Sequence, residues 1–172
     1  MSDRVFAEIS IGGNLDNTKD AESLLVAIHK EGYLDKEDIV AMLLYASATG
    51  CPAQMSGEDV ASGVFPHIDL CVKDIDGLMC STNFSSGAEF DAGDYLIDVD
   101  GKDYAIQRHS GDYCLIVQPM LGIREVSDSA LLEYIKAQLD VIKKVNAMPP
   151  LTISDAVRAW LQIVPPTMDL GG

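Results

Sequence analysis

The chain predicts an α+β fold: an antiparallel sheet of five to six strands, with two N-terminal and two C-terminal helices packed on one face. Three observations lead there. Apolar residues recur at helical spacing before Gly50 and again after Ser127, but alternate with period two between His67 and Val117. Asp76-Gly77, Asp100-Gly101 and Ser110-Gly111 punctuate that middle stretch as tight turns. Strands and helices are therefore segregated along the chain, which favours an antiparallel sheet over a βαβ arrangement.

Taken in order, Val5, Ala7, Ile9 and Ile11 alternate with Phe6, Glu8 and Ser10, a first strand over residues 4 to 11. Asn17 or Thr18 caps a helix whose stripe of Leu24, Leu25 and Ile28 runs to about Glu31, where Gly32 stops it. Asp35 caps a second helix that reaches Gly50 and is apolar almost all round in its second half, so it needs cover on several sides or a partner subunit. Residues 51 to 66 are rich in small and turn-forming types and read as a connection. His67 to Lys73 alternates as a strand, and Leu78 to Phe84 follows as the next. Ser127 caps a long amphipathic helix carrying Leu131, Leu132, Ile135, Leu139 and Ile142, ended by Pro149-Pro150. A last helix with Thr152 or Ser154 as cap gathers Val157, Trp160 and Leu161. One domain over residues 1 to 166 accounts for all of this, with 167 to 172 as a loose tail.

Two-residue hairpin loops at Asp100-Gly101 and Ser110-Gly111 set a register for the middle strands. Val99 faces Lys102, Ile97 faces Tyr104 and Tyr95 faces Ile106; His109 faces Asp112 and Arg108 faces Tyr113. Tyr95, Ile97 and Val99 then belong to the core face. Asp94, Asp98, Asp103 and Asp112 share the opposite face, with Asp98 directly across from Asp103. With Glu89 and Asp91, these acids form an exposed carboxylate array on a rigid hairpin.

Twenty-seven acids against twelve bases give a formal charge of −15, which disfavours direct nucleic-acid binding, since that binding draws on Lys and Arg. No positively charged, apolar leader occurs in "MSDRVFAEIS", and the four cysteines show no C-x-x-C spacing, so free thiols and a cytoplasmic location are expected, with no membrane association.

Specific chemistry is weakly signalled. "DIDG" (74 to 77) and "DVDG" (98 to 101) suggest calcium, but counting an EF-hand from either glycine fails at the first and twelfth ligands. Zinc lacks a ligand set at any known spacing. "ISIGGNLDNT" has the order of a phosphate loop without its glycine pattern or lysine, and Asp16 and Asp20 would repel the phosphate. His109, Ser110 and Asp112 lie in one turn and cannot surround a substrate. No cofactor is therefore expected.

The acidity, small size and helix-flanked sheet resemble bacterial secretion chaperones and, separately, phage or plasmid proteins that inhibit host defence by mimicking nucleic acid. Both resemblances are compositional. The register, which separates the acids from the core, leads to a non-enzymatic acidic protein-binding module that presents its carboxylate face to a basic partner, such as a nucleic-acid-binding protein; the resemblances imply an inhibitor or a secretion adaptor as examples. The enzyme alternative is a metal-dependent hydrolase using Asp98, Asp103 and His109. A homodimer is also expected, because the apolar second helix and the Trp160 segment offer more apolar surface than a small sheet covers.

Overall fold

Alternation at the N-terminus extends further than expected: β1 runs Arg4–Leu15, and Val5, Ala7, Ile9 and Ile11 are all buried. The computed structural model describes residues 4–88, 91–109, 112–114 and 128–163. After β1 come α1 (Thr18–Lys30) and α2 (Lys36–Thr49), capped by Asn17 and Asp35 through side-chain oxygens that accept from the backbone N–H three residues on. Gly50, at φ 68°, closes α2 in the left-handed conformation that glycine adopts without strain.

Two elements between residues 53 and 73 differ from the sequence expectation. Residues 53–61 are not a connection but β2 (Ala53–Ala61), an edge strand in which Ala53, Met55 and Gly57 alternate inward. A bulge places Glu58 and Asp59 opposite Phe6, with Asp59 at φ 60°. A charged bulge on a free edge obstructs pairing with another chain.

Residues 67 to 73 are not a strand but part of α3 (Pro66–Lys73). Pro66 sits at the first helical position, where its missing N–H costs nothing. Ile68, Asp69 and Val72 are buried together while Leu70 is exposed, a period of 3.6 that a seven-residue window cannot separate from alternation.

The sheet continues as β3 (Leu78–Phe84), β4 (Gly93–Ile97), β5 (Asp103–His109) and β6 (Asp112–Cys114), and its order is β2-β1-β3-β4-β5-β6. Every one of these pairings is antiparallel. The chain then forms α4 (Asp128–Asn146), β7 (Leu151–Ile153) and α5 (Asp155–Ile163). β7 pairs in parallel with Gly13–Leu15, continuing the edge that β2 leaves at Ile11.

The helices do not share one face. α1, α2, α3 and α5 bury Leu24, Leu25, Ile28, Ile39, Leu43, Ile68, Val157 and Leu161 against the inward residues of β1 to β4. α4 lies on the opposite face, where Val141, Ile142 and Val145 meet Met79, Leu96 and Ile106. α2 gains cover from α1, β2, β7 and α5, and Trp160 is partly buried against the same core. Much of the apolar surface that suggested a dimer is thus used within the chain. The tail at 167 to 172 lies outside the described residues. No described helix is long and apolar enough to cross a membrane.

Candidate functional site

The hairpin between β4 and β5 decides where the acids go. The Gly101 N–H donates to the Asp98 carbonyl at 2.9 Å, the Asp98 N–H donates to the Lys102 carbonyl at 2.9 Å, and Gly101 has φ 71°. These bonds define a three-residue loop, a type I turn followed by a left-handed glycine, not the expected two-residue loop. One extra residue moves the register by one, so Ile97 faces Asp103 and Leu96 faces Tyr104. A slip of one exchanges the two faces of a strand. The second hairpin does follow the expected register, with His109 opposite Asp112 and Arg108 opposite Tyr113.

The acidic face therefore does not exist as a single surface. Asp94 is buried: its Oδ2 receives Arg108 Nε at 2.6 Å and its Oδ1 receives Asn83 Nδ2 at 2.9 Å. Arg108 is held in turn over the Tyr113 ring, 4.6 Å from its centroid, and donates to the Tyr113 hydroxyl, which donates to Asn146 Oδ1. Asp98 is also buried. Its Oδ1 accepts from the N–H groups of Asp100 and Lys102, and its Oδ2 accepts from the Tyr104 hydroxyl and from Lys144 Nζ at 3.0 Å. Burial alone would raise the Asp98 pKa, but Lys144 and the two backbone donors overcome it and hold the carboxyl below its ordinary range.

Asp103 is on the other face, exposed, and accepts from the Tyr95 hydroxyl at 2.8 Å and Lys73 Nζ at 3.1 Å. Asp91 and Asp112 are exposed, and Glu89 lies outside the described residues. Because Asp98 and Asp103 point to opposite faces, they do not form a dyad, and the hydrolase constellation with His109 is not assembled. Among the described residues, no group of three or more His, Cys, Asp or Glu is arranged to hold a metal ion.

Five exposed acids outside these ion pairs lie together at one end of the sheet. The pairings Gly13 with Leu78, Ile97 with Asp103 and Leu15 with Ile153 bring four turns to that end. The Asn14 N–H donates to the Gly77 carbonyl, and the Ser154 hydroxyl donates to the Asp16 carbonyl, so neighbouring turns are tied together. Asp16, Asp74, Asp76, Asp100 and Asp155 are exposed there, and none is in a salt bridge with a described residue. Lys19 and Lys102, neither in a salt bridge with a described residue, lie in or beside these turns, while Lys73 is occupied by Asp103.

One concavity lies near this end, and a second lies away from it, toward the other ends of β3, β4 and β5. Between α1 and α3 lies an open cleft of about 480 Å³ with an apolar floor of Val26, Leu70 and Ile75 and a rim that mixes Lys19, Lys30, Asp20 and Asp74. A smaller hollow of about 220 Å³ opens on the second face beside the C-terminal end of α4 and includes Asp94 and Arg108.

A buried carboxyl outside the candidate site residues is Asp69, on the inner side of α3, with the Cys80 thiol 3.8 Å from its Oδ1. Burial, and secondarily the Glu31 carboxylate, raise its pKa to about 6. Glu31 itself accepts from the N–H groups of His67 and Ile68, serving as the N-cap that Phe65 cannot provide for α3.

No protein-family model matches the chain, and no match was found among curated proteins or solved structures.

Proposed function

We propose that this chain is a non-enzymatic acidic protein-binding module that meets a basic protein partner, with the turn end of its sheet as the contact surface. The observation that supports the reading is the sorting of the aspartates. Those the sequence placed on a flat strand face, Asp94 and Asp98, are consumed by Arg108 and Lys144. Asp16, Asp74, Asp76, Asp100 and Asp155 instead project from four turns, with no ion-pair partner among the described residues. Turns held by strands keep such charges at fixed positions, and complementary charge raises association rate and selectivity more than final affinity. Phosphate-bearing ligands are repelled by the same charges.

The test is affinity capture from an extract of the source cells, comparing the parent chain with Asp16→Asn/Asp76→Asn/Asp100→Asn/Asp155→Asn. A captured basic protein should bind the parent with an affinity that falls steeply with salt, and should bind the variant at least about tenfold more weakly, a loss of about 1.4 kcal/mol. Equal binding by both chains would refute the surface.

A further inference from the structure

We propose that the hollow on the second face is a binding site for an organic monocation, a guanidinium or primary ammonium on a short hydrocarbon stem. α4 covers only the part of that face around Met79, Leu96 and Ile106. Beside it, cross-strand pairing sets polar residues in two rows, Glu8 with Asn83 with Asp94, and Ser10 with Ser81. Val145, Asn146 and Met148, from the end of α4 and just beyond it, form the wall of the hollow these rows floor.

The charge balance selects the ligand. Asp94 is neutralised within the hollow by Arg108 at 2.6 Å, whereas Glu8 is in no salt bridge with a described residue, so one negative charge is left over. The hydrogen-bonding capacity left over is mostly for donors. Ser81 is 7% exposed, and its hydroxyl has no hydrogen-bond partner among the described residues. Asn83 spends its Nδ2 on Asp94, which leaves its carbonyl oxygen to accept, and the Glu8 carboxylate is acceptor-only. Solvent reaches these acceptors through the hollow, and a donor that enters it can take the place of that water. A guanidinium brings five N–H donors in a plane, and an ammonium three. Val145 and Met148 supply apolar contact for the stem. An anion would meet Glu8 and Asp94. The volume of about 220 Å³ suits a small polar head group and not a large cofactor.

This site is separate from the acidic turn end and stands or falls without it. Its ligand has two sources, a free small molecule or the arginine or lysine side chain of a protein. Titration by NMR with ethylguanidine, ethylamine, neutral ethylurea, and a blocked Gly-Gly-Arg-Gly-Gly peptide separates them. Saturable shifts of the Ser81 and Asn83 amides with ethylguanidine or ethylamine, about tenfold weaker with ethylurea, are expected. Tighter binding of the peptide than of ethylguanidine assigns a side-chain ligand, and the reverse order a free one; both support the site. Glu8 is exposed, so Glu8→Gln keeps the fold and should weaken binding about tenfold with an unchanged melting temperature. Ser81→Ala should weaken it by a smaller factor. No saturable shifts, equal binding of ethylurea, or unchanged affinity in Glu8→Gln would overturn the proposal.

Discussion

Lys144, near the C-terminus of α4, reaches Asp98 at the tip of the β4–β5 hairpin at 3.0 Å and joins residues 46 apart in sequence. Its ammonium also sits 5.5 Å from the Tyr104 ring centroid. The bond does two things at once. It fastens α4 to the second face, and it neutralises a carboxylate that would otherwise be buried with a full charge.

Removing the cation should therefore expose the cost of that burial. Lys144→Met is expected to lower stability by about 1 to 2 kcal/mol at pH 7, below the cost for a fully buried pair because the lysine side chain is half exposed. The folded Asp98 pKa is depressed, so its contribution is present above the unfolded value and is lost as pH falls through the folded one. Denaturant unfolding of parent and variant should accordingly converge below about pH 4.

Asp69 has the opposite sign. Its pKa rises from 3.8 to about 6 on folding, so the folded state holds more protons than the unfolded state between these values, and stability declines as pH rises through that window. At pH 7 the ionised group costs about 2 to 3 kcal/mol, from a shift of about two units at 1.36 kcal/mol each. Asp69→Asn should raise the melting temperature at pH 7 and flatten the decline between pH 4 and 6. A lower melting temperature at pH 7 would contradict the assignment.

Glu31 tests a cap supplied from outside its helix. Glu31→Ala removes the acceptor for the His67 and Ile68 N–H groups and should cost about 1 kcal/mol, with amide exchange at those two residues accelerating. It should also lower the Asp69 pKa, since the Glu31 charge helps raise it.

Gly12 answers a question of space. A Cβ there would lie 2.1 Å from the Pro149 carbonyl oxygen, where backbone leading into β7 crosses β1. Gly12→Ala is expected to destabilise by about 2 kcal/mol or more, because it must displace a backbone and not a flexible side chain. The loss should appear in urea unfolding as a lower midpoint with an unchanged slope.

Much of the architecture was legible because it is local. The caps Asn17, Asp35 and Ser154, the stop at Gly32 and the strand Leu78–Phe84 all stand where the pattern put them. β2 was not, because Gly57 and the Glu58-Asp59 bulge interrupt its alternation; α3 was not, because eight residues fit either period. The misplacement of the acids has two sources, the loop register that moves Asp103 to the other face and the cover that α4 and Arg108 give Asp98 and Asp94. Asp100-Gly101 suits a two-residue loop, and it equally suits the last two residues of a three-residue loop, since both need a glycine at positive φ. The partners that cover these acids, Lys144 for Asp98 and Arg108 for Asp94, act through tertiary contact that no local window contains. The hollow was invisible for a related reason, since its polar rows come from β1, β3 and β4 and read singly as ordinary exposed strand positions.

The division of the aspartates into internal ion pairs and free turn charges is tested most directly by titrating the Asp98 side-chain carboxyl by NMR in the parent chain and in Lys144→Met. An Asp98 pKa below the ordinary carboxylate range in the parent, rising when the lysine is removed, is the predicted result. An ordinary or elevated value that does not respond to Lys144→Met would contradict it, and would return Asp98 to an exposed acidic face.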